Sequence, residues 1–145
     1  MAVPEKRRTT MPRSLAKYAW PCLEIILEVA NNQEKITYQE LADRLGLKLA
    51  KQEWLTVLDS VAWRTKRDLG NDIDLTWIVV YTSGPAKGLG HYFSNGKAPG
   101  STLLDPRNTV QVEDYKRKLK EIYECTYELR RVEGGDRVIK IPRSK

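Results

Sequence analysis

The chain contains few of the residues that build metal or redox sites. Its 145 residues include two cysteines, Cys22 and Cys125, and a single histidine, His91. Three such side chains fall short of the four Cys and His ligands that a structural zinc site usually needs. We therefore expect no metal and no cofactor, and we expect the cysteines to be buried thiols of a protein in the reducing cytoplasm.

Long apolar runs are also missing. No run approaches the ~20 residues that a helix needs to cross a bilayer. Residues 1–13 place no apolar stretch after their basic residues, so they lack the pattern of a secretory signal. We expect a cytoplasmic protein without membrane contact. A chain of 145 residues is long enough for one domain with its own core.

The positive charge is concentrated near the two ends of the chain. Of the net charge of +6, residues 1–13 contribute +3, residues 132–145 contribute +2 and residues 14–131 only +1. Basic arms suit nucleic acid because each phosphate contact releases counterions, although such arms also occur as solubilising ends without a partner. The composition predicts a disordered basic arm over 1–13, a nearly neutral domain over 14–131 and a basic tail over 132–145.

The segment KITYQELADRLGL, residues 35–47, predicts a short helix over 38–45 with defined ends. Thr37 and Glu40 have the spacing of a capping box, in which each side chain bonds the backbone amide of the other residue. Gly46 can end the helix because glycine adopts the left-handed conformation without steric cost. A helix of about two turns that ends this abruptly is typical of a helix-turn-helix, where the next helix crosses it.

Apolar periodicity, β-branched residues and turn residues predict the other elements. Pro21 lies in the first helix, which either kinks there or begins at Trp20-Pro21. This order predicts an α+β fold, a winged helix-turn-helix of three helices and a small β-ribbon, with an added C-terminal helix. The predicted elements are helices over 14–31, 50–69 and 111–131, strands over 75–81, 91–93 and 138–141, a glycine-rich wing over 82–90 and a turn at Asn95-Gly96.

At TYQELADRLGL the chain resembles the DNA-binding domain of the O6-alkylguanine-DNA alkyltransferases. That family carries a capped Tyr-x-x-Leu-Ala helix, a glycine and a recognition helix, followed by an active-site strand and a Ser-Gly…Gly-x-Tyr turn. The resemblance covers roughly residues 23–93 and implies a winged-helix fold that binds DNA. The matching later motifs are Val79-Val80, Ser83-Gly84 and Gly90-His91-Tyr92.

The chain departs from this family where the chemistry would take place. The resemblance puts Thr76 at the position of the nucleophilic cysteine and Gln52 at that of the arginine inserted into the base stack. A thiolate nucleophile needs a neighbouring base or cation, and this chain offers no such constellation. We therefore expect no catalytic residue and no enzymatic activity. Cysteine-less relatives, which flag alkylated DNA for repair, carry tryptophan at that position, and Trp77 would match it if the register shifted by one residue.

Eight side chains are candidates for DNA contact. The resemblance matches Tyr38 to a tyrosine that contacts a phosphate. The third helix of a helix-turn-helix enters a groove, where Gln can read adenine and Lys can reach guanine or a phosphate. Each candidate has a structural alternative, such as a solvated helix face, a complement to the helix dipole or a local hydrogen bond within the wing. The set is Tyr38, Lys48, Lys51, Gln52, Thr56, Arg64, Lys87 and His91.

These observations predict a non-enzymatic protein that binds duplex DNA, with a recognition helix at about 48–60 and a wing at about 84–91. One alternative is a protein-interaction module, for example an inhibitor or adaptor from a mobile element. The nearly neutral body and the four tryptophans favour that alternative, because Trp is enriched at binding hot spots. A further alternative is alkyltransferase-like recognition of damaged DNA.

Overall fold

The computed structural model describes residues 13–70, 73–94, 103–131 and 137–141. Within these ranges, four α-helices and two small β-sheets confirm the predicted α+β class. The side chains of Lys51 and Gln52 lie outside the described part, as do residues 1–12 of the predicted arm over 1–13, the turn at Asn95-Gly96, and residues 132–136 and 142–145 of the predicted tail. The elements in chain order are α1 (Arg13–Asn31), β1 (Ile36–Thr37), α2 (Tyr38–Leu45), α3 (Lys51–Leu69), a 3-10 helix (Leu75–Ile78), β2 (Val79–Val80), α4 (Thr109–Tyr123), β3 (Glu128–Arg131) and β4 (Arg137–Lys140).

The first helix, α1, follows the prediction closely. It runs through Pro21, whose side chain is exposed, and does not begin there. Cys22, Leu23 and Ile26 are fully buried on its inner face. No described helix is long and apolar enough to cross a membrane.

The capping box that begins α2 is present. The Glu40 amide donates to the Thr37 hydroxyl at 3.1 Å, and the Glu40 carboxylate accepts from the Thr37 amide at 2.9 Å. Gly46 ends the helix with φ 70°, in the left-handed region that only glycine adopts without cost. Its amide bonds Asp43 O, and the next amide, that of Leu47, bonds Ala42 O, which satisfies the last carbonyls of α2. The chain therefore leaves α2 abruptly, as predicted.

The longest described helices, α1 and α3, pack against each other and build the core. The Glu53 carboxylate accepts from the Ala50 amide at 2.7 Å and caps the first turn of α3. The predicted apolar stripe of α3 is confirmed, since its members are all buried. They are Trp54, Val57, Leu58, Val61 and Ala62.

The strand predicted over 75–81 is mostly wrong. Asp74 accepts from the Thr76 amide at 2.9 Å and starts a 3-10 helix, so only Val79–Val80 remains extended. These two residues pair with Ile36–Thr37 in parallel. The predicted returning strand over 91–93 is also absent. The segment after the loop makes only bridge pairs, one between Val80 and Gly90 and one between Phe93 and Leu104.

The last predicted helix ends at Tyr123, eight residues before the predicted end at 131. The side chain of Asn31 donates to the carbonyl of Tyr127 at 2.9 Å and accepts from its amide at 2.8 Å, which holds this segment against the end of α1. Glu128–Arg131 then pairs with Arg137–Lys140 as antiparallel β3 and β4. The predicted edge strand in the C-terminal segment is therefore present, and it carries Ile139, which is 1% exposed.

Candidate nucleic-acid interface

A cleft of about 400 Å³ opens where α2, the start of α3 and the end of β2 meet. The Tyr38 ring lies 6.3 Å from the Trp54 ring and 5.9 Å from the Tyr81 ring, measured between centroids. Burial raises the pKa of both Tyr38 and Tyr81, so their hydroxyls are protonated at neutral pH. The residues that line the cleft are Tyr38, Gln39, Ala42, Lys48, Leu49, Trp54 and Tyr81.

The loop between Tyr81 and Gly90 is closed at its base and anchored to β1. The Tyr81 amide donates to Leu89 O at 3.2 Å, and the Gly88 amide donates to Tyr81 O at 3.0 Å. Lys35 Nζ donates to Gly88 O at 3.0 Å, which ties the loop to the residue before β1. Ala86 is buried beneath the loop, whereas Lys87 is exposed. The loop therefore presents its lysine from a fixed base next to Tyr81.

Carboxylates near the cleft are held by local hydrogen bonds. Glu40 and Glu53 each accept from a backbone amide in their capping interactions. Asp43 accepts from Gln39 Nε2 at 2.9 Å. Their charges remain and partly offset those of Lys48 and Lys87. This edge therefore carries charges of both signs: the two lysines are exposed, and Glu40 and Glu53 are hydrogen-bonded to backbone amides.

Some of the predicted DNA-contacting residues meet at this cleft. Tyr38 and Lys48 line it, and Lys87 pairs with Tyr81 in the adjacent loop. Thr56 is half-buried and lies in the second turn of α3. The predicted contacts of the Lys51 and Gln52 side chains lie outside the described residues.

Arg64 and His91 do not belong to this interface. The guanidinium carbon of Arg64 lies 4.2 Å from the centre of the Trp20 ring, at the junction of α3 and α1. His91 is 3% exposed, too buried to reach a phosphate. The suggested local hydrogen bond of His91 is present, because its Nε2 lies 2.8 Å from Thr76 Oγ1.

His91 belongs to a buried polar network centred on Asp74. The Asp74 carboxylate accepts from the Thr76 hydroxyl and from the Tyr92 hydroxyl, each at 2.5 Å. Because the Thr76 proton goes to Asp74, His91 Nε2 must donate to Thr76 Oγ1, which leaves Nδ1 unprotonated. No described group bonds this Nδ1. Burial lowers the pKa of His91 to about 4, against an opposing effect of Asp74.

The same network fills the position that the resemblance gives to a nucleophile. Thr76 is fully buried, and its hydroxyl is held between Asp74 and His91. Trp77, the alternative match, is half-buried, with its ring 4.8 Å from that of Tyr92. Within the described residues, no group of three or more His, Cys, Asp or Glu side chains is arranged to hold a metal ion.

Gly90 is required here by close packing and not by a left-handed backbone. A Cβ at this position would lie 2.9 Å from the Trp77 ring and 3.0 Å from the Tyr115 ring. Real Cβ atoms do not approach other heavy atoms this closely, so any larger residue would displace the rings. The glycine of the Gly-x-Tyr motif is therefore explained by its close packing against Trp77 and Tyr115.

Sequence reasoning missed three residues that shape the interface. Apolar periodicity predicts only that Trp54 belongs to the buried stripe of α3, yet it also lines the cleft. Tyr81 was the last residue of a predicted strand, and Lys35 preceded the capped helix without a motif of its own. No local signal could place Tyr81 beside Tyr38, because 43 positions separate them in the chain.

Comparisons of the chain with models of protein families, with curated proteins and with solved structures each found no match.

Proposed function

We propose that this protein is a non-enzymatic, duplex-DNA-binding winged helix-turn-helix. In this proposal the first half of α3, residues 51–60, enters a groove, and the loop 84–90 acts as the wing on the adjacent backbone. The C-terminal helix α4 is an addition to that fold. The turn before α3 and the loop would make phosphate contacts through Lys48 and Lys87, which position the protein without reading sequence.

One observation carries the proposal. Gly46 ends α2 abruptly, α3 begins five residues later, and the cleft between them is lined by Tyr81, which pairs with Lys87 of the loop. A short capped helix, a second helix and an exposed basic loop are thus assembled around one surface. This is the combination that a helix-turn-helix with a wing offers to DNA.

The electrostatics of the surface predict modest affinity. The net charge of residues 14–131 is only +1, and Glu40, Asp43 and Glu53 lie within eight positions of Lys48 in the chain. Glu40 and Glu53 each accept a hydrogen bond from a backbone amide, which fixes their orientation, but their negative charges still oppose phosphate binding. Affinity should therefore depend on a few phosphate contacts and on the basic ends of the chain.

A salt titration with charge variants tests the proposal. We would measure binding of a labelled duplex of about two helical turns by fluorescence anisotropy, between about 50 and 200 mM salt. We expect Lys48→Ala and Lys87→Ala each to reduce the slope of log K against log salt by about 1, because each loses one phosphate contact. Lys120→Ala on α4 serves as the matched control. Slopes equal to that of the control would overturn the assignment of this surface.

Truncation separates the folded surface from the ends of the chain. The structure requires that such variants stop at residue 141, because β4 is part of the fold. We expect a chain of residues 13–141 to bind duplex DNA more weakly than the full chain. Within this shorter chain, Lys48→Ala should still reduce the slope of log K against log salt. If all binding disappears with the two ends, the proposed recognition helix has no role.

A second candidate function is recognition of an altered base, as the resemblance to alkyltransferase-like proteins implies. The observation that favours it is the aromatic cleft, whose volume of about 400 Å³ and three rings suit stacking against a flat base. Anisotropy with a duplex carrying one O6-methylguanine tests it against the unmodified duplex. We expect at least tenfold tighter binding of the modified duplex, reduced by Trp54→Leu. Equal affinities exclude this function and leave general DNA binding unaffected.

A further inference from the structure

A lysine is held where the loop of residues 81–90 meets α4. Lys35 Nζ donates to Gly88 O at 3.0 Å and lies 5.7 Å from the centre of the Tyr115 ring on α4. The backbone of Gly90, at the end of the loop, packs closely against the same ring. The ammonium group of Lys35 is therefore fixed at the junction of the loop with the C-terminal helix, while the residue as a whole remains exposed.

A second lysine acts on this ammonium group. Lys116 follows Tyr115 on α4 and is exposed. Burial lowers the pKa of Lys35, and the positive charge of Lys116 lowers it further. The charged form of Lys35 is thus disfavoured both by partial loss of water and by a like charge. An anion in contact with both ammonium groups would oppose these two effects. We call Lys35 and Lys116 the lysine pair.

Two carboxylates limit the field around the lysine pair. Lys116 Nζ lies 3.4 Å from Glu113 Oε2, and Glu34 precedes Lys35 and is exposed. The side chains of Lys116 and Glu113 are 63% and 71% exposed, and ion pairs this exposed contribute little to stability. Lys116 can therefore exchange this partner for another anion at small cost. Because the two glutamates balance the charge of the two lysines, an anion must be held by direct contact with the ammonium groups.

The position of the lysine pair relates it to the proposed wing. Lys35 bonds the carbonyl of Gly88, which follows Lys87 in the loop, so Lys35 and Lys87 border the same turn. Successive phosphates of one DNA strand lie only about 3.4 Å apart along the duplex axis. A strand that contacts Lys87 with one phosphate can therefore bring a further phosphate to the lysine pair.

We propose that Lys35 and Lys116 together bind one phosphate of the DNA backbone beside the wing. The helix α4, which is an addition to the winged fold, then takes part in DNA binding. The inference rests on the proposed function, because the backbone reaches the lysine pair only if the loop acts as the wing. The contact positions the duplex and reads no sequence.

The salt titration with labelled duplex DNA tests this contact through Lys116. Lys116→Gln removes one charge from α4 and leaves the bond between Lys35 and Gly88 in place. We expect it to reduce the slope of log K against log salt by about 1, and we expect Lys116→Arg to retain the wild-type slope. Lys118→Gln is the matched control, because Lys118 lies about 200° around the same helix from Lys116. It should leave the slope unchanged.

A double variant tests whether the two lysines share one phosphate. The measurement is made with Lys87→Ala already present, so that a disturbed loop cannot remove the wing contact a second time. In that chain we expect Lys116→Gln to reduce the slope by about 1, and Lys35→Gln combined with Lys116→Gln to reduce it by no more than this. A combined reduction of about 2 would contradict a shared phosphate and overturn the lysine pair as one site.

The outcomes separate this inference from the proposed function. If Lys48→Ala and Lys87→Ala reduce the slope and Lys116→Gln does not, the lysine pair has no DNA contact and the proposed function stands. If only Lys116→Gln reduces it, α4 binds DNA and the proposed wing and helix do not. Absence of duplex binding by the wild type overturns both.

Inorganic phosphate distinguishes a DNA contact from a site for a free anion. We would follow the side-chain NMR signals of Lys35 and Lys116 during a titration with inorganic phosphate at constant ionic strength. We expect duplex DNA to shift both signals at concentrations where equal amounts of inorganic phosphate do not. Shifts with inorganic phosphate, combined with an unchanged DNA slope for Lys116→Gln, would assign the pair to free phosphate and overturn the proposal.

Discussion

His91 shows how much a single side chain depends on its surroundings. It follows a glycine in a surface loop, yet the ring is 3% exposed and bonds Thr76 next to Asp74. Desolvation disfavours the imidazolium, whereas the negative charge of Asp74 favours it, and desolvation is the larger effect. Lys66, whose Nζ lies 4.0 Å from Asp74, offsets part of that negative charge. The folded state therefore holds His91 neutral.

This burial predicts a loss of stability in acid. The folded pKa of His91, about 4, lies below its ordinary value of 6.5, so the unfolded chain binds the proton first as the pH falls. The contribution of neutral His91 to the free energy of unfolding is intact above pH 6.5. Between pH 6.5 and about 4 the free energy of unfolding falls by roughly 1.4 kcal/mol per pH unit, about 3 kcal/mol in total. Urea unfolding of the wild type and of His91→Gln at several pH values measures the difference. Parallel pH profiles of the two proteins would contradict a buried neutral histidine.

At the scale of elements, α2 is specified by residues within or next to it. The Thr37 hydroxyl and the Glu40 carboxylate each satisfy an amide that the helix leaves without an internal partner, and Gly46 supplies the left-handed residue at the other end. All three interactions span four residues or fewer, so the spacing in the sequence is sufficient to predict them. This is why the bounds of α2 were predicted correctly to the residue.

Removal of the cap should weaken the fold by a small, measurable amount. We expect Thr37→Ala to lower the free energy of unfolding by about 1 kcal/mol, because the Glu40 amide loses its acceptor. Thr37→Ser keeps the hydroxyl and should retain most of the stability. Urea unfolding at neutral pH provides the measurement. Equal losses for the two variants would show that the methyl group of Thr37, and not its hydroxyl, supports the helix.

The two errors at this scale have different causes. The residues at 75–78 favour a strand, but the side chain of Asp74 caps a 3-10 helix there. The residues up to 131 continue a helical apolar pattern, but Asn31 bonds both backbone groups of Tyr127, and Leu129 pairs with Ile139 in a sheet. A local cap thus outweighed strand propensity in the first segment, and tertiary partners overrode a weak helical preference in the second, as they often do for short segments.

At the scale of the whole molecule, the C-terminal segment completes the core. Ile139 is fully buried, its amide bonds Asp68 on α3, and β4 packs against that helix. The basic residues of this segment predict a tail, yet β4 within it packs against α3. Any truncation that removes β4 therefore removes part of the core together with its charge.

Paired substitutions in β4 test this role. We expect Ile139→Ala to lower the free energy of unfolding by about 2–5 kcal/mol, because it leaves a cavity in the core. Val138→Ala, on a half-buried position of the same strand, should cost much less. Chemical denaturation of both variants supplies the values. A small effect of Ile139→Ala would mean that β4 contributes little to the folded domain.

The sequence by itself determined the α+β class, the bounds of α2, the end of α1, the extent of α3 to within one residue and the inner stripe of α3, because caps and periodic burial depend on residues close together in the chain. Only the tertiary structure decided that Tyr38, Trp54 and Tyr81 form one cleft, that Arg64 lies on Trp20 and that His91 is interior. These placements join residues from separate elements, and their energies come from burial and hydrogen bonds that exist only once the elements pack.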